Sequence, residues 1–197
     1  MTPAEAALRP RVEGDREQEI LDAALEVLGE VGYDRLTMDA VAQRAKASKA
    51  TLYRRWNSKA TLVVDGLASQ KTTPAVPDTG DLRSDLLEAF CGMGGLTDHD
   101  SMATFGAVMT ALSTDPEFAH EFRTRVLLPK SQLSRTVFQR AHDRGEIRAD
   151  LDLDLIAPAL AGIVLHRLFV MGEQPGPSLI ERVIDQIILP AVRPTQA

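Results

Sequence analysis

The chain has 197 residues, with 22 basic against 28 acidic side chains, a formal net charge of −6, and 44% apolar, 25% charged and 5% aromatic residues. That composition excludes a disordered, collagen-like or low-complexity chain and fits a globular protein of one good-sized domain or two small ones. A single cysteine, Cys91, excludes a disulfide framework and a cysteine-based zinc site. The longest apolar stretch, Leu155 to Leu165, is short for a bilayer and contains Pro158, and the charged N-terminus lacks the apolar core of a secretory signal. The expected compartment is the cytoplasm, with no membrane partner.

Residues 1–13 hold two prolines and no hydrophobic period, and read as a loose arm. A first helix follows, because Ile20, Ala24, Val27, Leu28 and Val31 recur at helical spacing, and Gly32 stands where a helix C′ glycine belongs. Thr37 is the expected N-cap of a short second helix with the apolar stripe Met38, Val41, Ala42 and Ala45. A three-residue break, Lys46-Ala47-Ser48, leads to a third helix from Lys49 to Trp56, and a fourth runs from Lys59 to Gln70. Residues 14–70 form the expected first domain. Residues 71–80, rich in proline and threonine, read as a linker, and 81–193 as a second helical domain.

Helices are expected there over Asp81–Gly94 and Asp98–Ser113, then from Pro116, placed at N1 behind the cap Asp115, to Arg144 before Gly145, with Pro129 kinking or dividing that segment. Asp154 is the expected cap of a helix to Val170, and Ser178 with Glu181 matches a capping box for a last helix ending near Val192. No alternating strand pattern of useful length is present, so the fold class is all-α.

Charge is distributed unevenly. The window from Arg35 to Lys59 carries +6, while the rest of the chain carries −12. A local basic surface sets phosphate affinity, whatever the global sum. Short helix, tight turn, short helix is the spacing of a helix-turn-helix. On the third helix Leu52 and Trp56 share the face that must be buried. Ala50 and Arg54 lie opposite, flanked by Lys49, Thr51, Tyr53 and Arg55. An exposed side that is small, hydroxylated and cationic suits a DNA major groove, where arginine can pair with guanine edges and lysines and hydroxyls grip phosphates. Ser48 is the expected cap of this helix, with free N–H groups suited to phosphate.

The run LTMDAVAQRAKASKATLYRRWNSKATLV, opening at Leu36, resembles the TetR family of bacterial transcriptional repressors, and residues 20–37 resemble that family's first helix and its exit. The resemblance covers residues 16–70. It implies DNA contacts, mostly to phosphate, from Thr37, Ser48, Lys49, Thr51, Tyr53 and Lys59, with Arg54 and Arg55 as candidates for base readout. Two positions depart from the family pattern. Lys46 stands in the turn where glycine is common, at a cost of roughly 1 kcal/mol if left-handed, though it adds a charge near DNA. Ala50 replaces a second glycine, and its methyl either meets a thymine methyl or slightly hinders the approach of the backbone.

The resemblance also implies a C-terminal domain that binds a small effector and forms a homodimer. Ile156, Leu160, Ile163, Val164 and Leu168 make one helix apolar almost all round, as Leu179, Val183, Ile184 and Ile187 do the next. Such helices are buried on more than one side, in a dimer interface or in a monomer core. Met93, Met102, Phe105, Met109, Phe118, Phe122, His166 and Phe169 are the candidate lining of a hydrophobic effector pocket, with packing in the core as the other reading of each.

No catalytic or metal site is expected. His99, His120, His142 and His166 lie far apart, and Gly92-Met93-Gly94-Gly95 lacks the lysine and hydroxyl of a phosphate loop. Cys91 reads as a small hydrophobe. No cofactor is implied. The expectation is a sequence-specific DNA-binding regulator: a homodimeric repressor released from operator DNA by a hydrophobic effector, with the fourth helix as lever. The alternative from another class is a helical small-molecule binder or enzyme whose basic segment is incidental.

Overall fold

In the computed structural model, which describes residues 13–69, 76–91, 99–173 and 176–194, every regular element is helical. The helices are α1 (Glu13–Val31), α2 (Met38–Arg44), α3 (Lys49–Arg55), α4 (Lys59–Ser69), α5 (Leu82–Cys91), α6 (His99–Thr114), α7 (Pro116–Phe122), α8 (Leu128–Asp143), α9 (Leu153–Ile156), α10 (Ala159–Phe169), α11 (Pro177–Val183) and α12 (Leu189–Val192). No helix among the described residues is long and apolar enough to cross a membrane.

The chain divides into two compact units: residues 1–71 with 103–122, and 72–102 with 123–197. This differs from the chain-order division into 14–70 and 81–193, because Ala103–Phe122 packs with the first unit. There α1 lies against α2 and α4, and α7 covers α4. The stripe that marked α1 as amphipathic is its buried face: Ile20, Ala24, Val27 and Leu28 are all inaccessible, as are Leu62, Val63 and Val64 of α4. The helices approach closely at Gly66, where a Cβ would stand 3.1 Å from Leu25 Cγ and 3.3 Å from the Leu21 carbonyl. Gly32 closes α1 in the left-handed region, with φ of 76°.

In the second unit one core joins α5, α8, α10 and α11 through Leu86, Phe138, Val164 and Val183, among others. The last part of the expected linker belongs to this unit. Arg140 donates to the Pro77 carbonyl at 3.0 Å, and buried Asp85 accepts from the Thr79 amide at 2.6 Å and from Arg144 at 3.2 Å. Two prolines each follow a π-helical turn, Arg123–Leu127 before Pro129 and Ile184–Ile188 before Pro190. A proline has no N–H for the carbonyl four residues back, here Arg125 or Gln186, and each carbonyl lies within the widened turn. The segment expected from Pro116 to Arg144 is therefore helical without a break to Asp143, with α7, the π-helical turn and α8 following one another directly.

Two expected helix starts are displaced. Asp152, not Asp154, accepts from the amides of Asp154 and Leu155 and caps α9. The chain then breaks before Pro158, so the single expected helix is α9 and α10. The capping box at Ser178 does not form, since α11 begins at Pro177 with Gly176 as its cap. Proline at N1 starts the helix one residue before the serine reaches a capping position.

The two left-handed residues flanking α2 test the backbone account. Lys46 holds φ of 50° with a Cβ, whereas Gly32 holds φ of 76° without one. Lys46→Gly is expected to raise unfolding free energy by up to about 1 kcal/mol, and Gly32→Ala to lower it by about 1 kcal/mol. Urea denaturation of both variants checks the opposite signs.

Candidate nucleic-acid interface

The interface is built from two short helices whose caps set their directions. Thr37 Oγ1 accepts from the Ala40 amide at 3.1 Å, and Ser48 Oγ accepts from the Thr51 amide at 3.1 Å. Between them Lys46 turns the chain in the left-handed conformation. Arg16 of α1 fastens this turn, its Nη2 donating to the carbonyls of Ala45 at 2.9 Å and Lys46 at 2.8 Å. A planar guanidinium can serve both carbonyls at once. Sequence reasoning missed Arg16, which stands at the start of α1 and meets the turn only in three dimensions.

The rotation of α3 is set by its inner side. Leu52 is fully buried and Trp56 is 2% exposed. Trp56 Nε1 donates to Asp65 Oδ2 of α4 at 2.7 Å, which satisfies the indole and ties the end of α3 to α4. Lys49, Ala50, Tyr53, Arg54 and Arg55 consequently face outward, with Thr51 half-buried and its hydroxyl 2.8 Å from Ser48 Oγ. Thr37 and Lys46 are exposed on the same helix-turn-helix.

The cations on this surface are not equivalent. Arg55 donates to Glu17 of α1 at 2.9 Å, and Lys49 Nζ donates to Asp39 of α2. Arg44 is shared by Glu30 and Glu26, whose hydrogen bonds raise its pKa. Glu17 likewise raises that of Arg55. Arg54 and Lys46 make no ion pair among the described residues. Lys59 departs from the expected role of its side chain. Its ammonium points inward, donating to the Tyr33 carbonyl at 2.9 Å and lying 4.2 Å from the centre of the Tyr33 ring. Carbonyl oxygens and an aromatic face offer this lysine a half-buried seat, where its charge holds the exit of α1.

Tyr33 is also the anchor for α7. Its hydroxyl donates to Asp115 Oδ2 at 2.6 Å, and its ring packs on Phe118 with centroids 4.9 Å apart. Asp115 accepts from the Phe118 amide at 3.0 Å, as the cap ahead of Pro116 should. Burial, then the bond to Asp115, drives the tyrosine pKa far upward, while the tyrosine hydroxyl holds Asp115 below the usual aspartate range. Ser58 adds a bond to Glu117 at 2.7 Å.

Of the expected effector-pocket residues, Phe105, Met109, Phe118 and Phe122 belong to the first unit and His166 and Phe169 to the second. Phe118 is fully buried between Tyr33 and Phe122, whose ring stacks on it at 5.9 Å, so it is core of the first unit. Phe105 is half-buried, and Met109, His166 and Phe169 are exposed. Met93 and the side chain of Met102 lie outside the described residues, as does that of Cys91. Two open clefts, one bordered by Arg16, Glu26 and Arg44 and one by Arg135, His142 and Asp152, are lined by none of the eight.

The expected dimer residues divide in two. Leu160, Val164, Leu168, Val183 and Ile184 are buried within the protomer, where α10 packs on α11, and α11 and the π-helical turn after it pack on α5. They are core, not interface. Ile156, Ile163 and Leu179 are half-buried, and Ile187 is 46% exposed. Beyond the expected set, Leu155, Phe169, Val170 and Met171 are exposed large hydrophobic residues of α9, α10 and the end of α10.

The chain matches the family model described as bacterial regulatory proteins, tetR family, over residues 20–65, and that described as Tetracyclin repressor-like, C-terminal domain, over residues 76–187. It is 38% identical over 181 residues to an uncharacterized HTH-type transcriptional regulator of Mycobacterium tuberculosis, covering 90% of this chain and 88% of that one. It is 32% identical over 181 residues to the DNA-binding transcriptional repressor TetR of Mycobacteroides abscessus, covering 91% and 95%. Its fold is similar to the crystal structure of the TetR family transcription regulator SCO0332, with a TM-score of 0.70 and 30% identity over 91% of this chain and 100% of that one.

The Tyr33–Asp115 bond gives a pH-dependent signature. A carboxylate whose folded pKa is depressed stabilises the fold above its unfolded pKa, near 4, and loses that contribution as pH falls through the folded value. Asp115→Asn is expected to lower stability at neutral pH by about 1 kcal/mol or less, with the difference from the parent protein closing below about pH 4. Denaturant titrations across pH check this, and parallel profiles would contradict it.

Proposed function

The chain belongs to the TetR family of transcriptional regulators, and from that premise we propose that it is a homodimeric repressor that presents two copies of α3 to adjacent major grooves of operator DNA. The observation that carries this reading is the outward face of α3, where Lys49, Tyr53 and Arg54 stand exposed while Leu52 and Trp56 hold the helix from behind. Arg54 is the base reader, because its guanidinium carries no competing carboxylate. Arg55 is a second reader, and Lys46, Thr37 and Ser48 lie along the flanking phosphates. Ala50 permits close approach. Lys59 contributes by holding Tyr33, and any contact of its own to DNA runs through its backbone. This is the work of a DNA-binding regulator rather than an enzyme.

The dimer seat is the exposed apolar row of Leu155, Phe169 and Ile187 with half-buried Ile156, Ile163 and Leu179. Exposed Gly162 gives a second α10 room for close approach. A two-fold dimer places two reading helices one helical turn of DNA apart, or a multiple of it. A small effector of the C-terminal unit releases the operator when it binds the two half-site spacings unequally, for which a coupling of about 1–3 kcal/mol suffices. Helix α4 leads out of the reading head, and α6 contributes residues to both units. With the passage from α7 into the π-helical turn Arg123–Leu127, they give three covalent routes for that coupling.

Selection from a random duplex pool supplies the operator for two tests. Arg54→Ala is expected to weaken discrimination at one base position by about 1–3 kcal/mol, whereas Lys46→Ala weakens all duplexes equally and reduces the salt slope by about one phosphate. Retained discrimination in Arg54→Ala would contradict the placement of α3. Ile187→Asp is expected to give a folded monomer in sedimentation that no longer binds the palindrome tightly. A dimer of unchanged affinity would move the interface elsewhere.

A further inference from the structure

The +6 window of the sequence does not present six free positive charges. Two of the cations on α3, Lys49 and Arg55, each touch a carboxylate from another helix: Asp39 of α2 and Glu17 of α1. All four side chains are substantially exposed, at 63% and 57% for the first pair and 60% and 36% for the second. Nothing in the burial of the first unit requires these carboxylates. Arg44 of α2, by contrast, pairs with Glu26 and Glu30 of α1, which hold no cation of α3.

We propose that Glu17 and Asp39 are specificity-determining residues, which hold Arg55 and Lys49 against capture by DNA phosphate and so suppress binding to non-operator sequences. The proposal rests on the reading of α3 as the recognition helix. Random duplex offers these cations phosphate oxygens and little else, and a phosphate must compete with a carboxylate already in place. An operator adds base-edge partners for the α3 side chains, with their cations already oriented by the carboxylates. Specificity is a difference of affinities, and a built-in competitor for the non-specific contact widens it. Like-charge repulsion between these carboxylates and the DNA backbone weakens both duplexes alike and leaves their ratio unchanged, so the specificity effect comes from the competition for Arg55 and Lys49.

The test compares Glu17→Gln, Asp39→Asn and Glu26→Gln with the parent protein. The last variant removes the same charge from α1 without freeing a cation of α3. Affinities are measured by fluorescence anisotropy for the selected operator and for a scrambled duplex over a range of salt. Glu17→Gln and Asp39→Asn are each expected to tighten the scrambled duplex about two- to fivefold, the scale of an exposed ion pair, and to steepen its salt slope. Operator affinity changes less, so the specificity ratio falls, while Glu26→Gln leaves that ratio unchanged. Equal tightening of both duplexes in all three variants overturns the proposal in favour of a plain charge effect, as does no change in any. Arg54→Ala in the same assay separates the two levels. If it retains the operator preference, the reading of α3 fails, and with it this proposal. If it loses the preference while Glu17→Gln and Asp39→Asn leave the ratio intact, the gatekeeping role alone fails.

Discussion

The surface proposed to read DNA depends on the rotational setting of one seven-residue helix, α3. A helix this short does not hold itself; isolated helices of this length are marginal even in favourable sequences. Its order comes from Leu52 and Trp56 buried behind it, from the Trp56–Asp65 hydrogen bond, from the Ser48 cap and from Arg16 clasping the preceding turn. Rotation by a single residue would bury Tyr53 or expose Leu52. The scaffold of α1 and α4 exists, in this sense, to give Leu52 and Trp56 a fixed place to pack.

Much of this was legible in the sequence because it is local. Gly32, Thr37 and Ser48 act within three or four residues of themselves, and their roles follow from residue type and position. The left-handed turn at Lys46 was legible through the resemblance, by the glycine it replaces. What lay beyond reach depends on contacts between distant segments. Arg16 and Lys59 are ordinary surface cations by composition, yet each finds backbone carbonyls that only the fold brings near. The all-round apolar pattern of α10 and α11 reads as burial on more than one side, but periodicity cannot say which side packs within the protomer. Leu160, Val164 and Ile184 went to the protomer core as a result, and the exposed row falls on Phe169 and Ile187. Near prolines, Asp152 and Gly176 took the caps expected of Asp154 and Ser178 because the chain breaks ahead of Pro158 and starts a helix at Pro177.

Charge carries a second lesson. Summing side chains along residues 35–59 identifies a basic segment, but α1 returns acidic groups to that surface: Glu17 beside Arg55, and Glu26 and Glu30 around Arg44. Electrostatic attraction to DNA is set by the folded surface, where Arg35, Lys46 and Arg54 are the exposed cations of residues 35–59 without an ion pair among the described residues. The same folding logic places Ala103–Phe122 with the reading head, through the Tyr33 hydroxyl, Phe118 and the Ser58–Glu117 bond. A residue at the exit of α1 thereby meets a segment more than eighty positions away.

The central claim, that the outer face of α3 enters the operator groove, is tested most directly by photo-crosslinking the protein to its selected operator carrying 5-iodouracil at single thymine positions, with the attached peptide identified by mass spectrometry. The account expects cross-links at the half-site centres to map to Tyr53 or its immediate neighbours on α3. Cross-links that map instead to α8–α11, with none on α3, would contradict it.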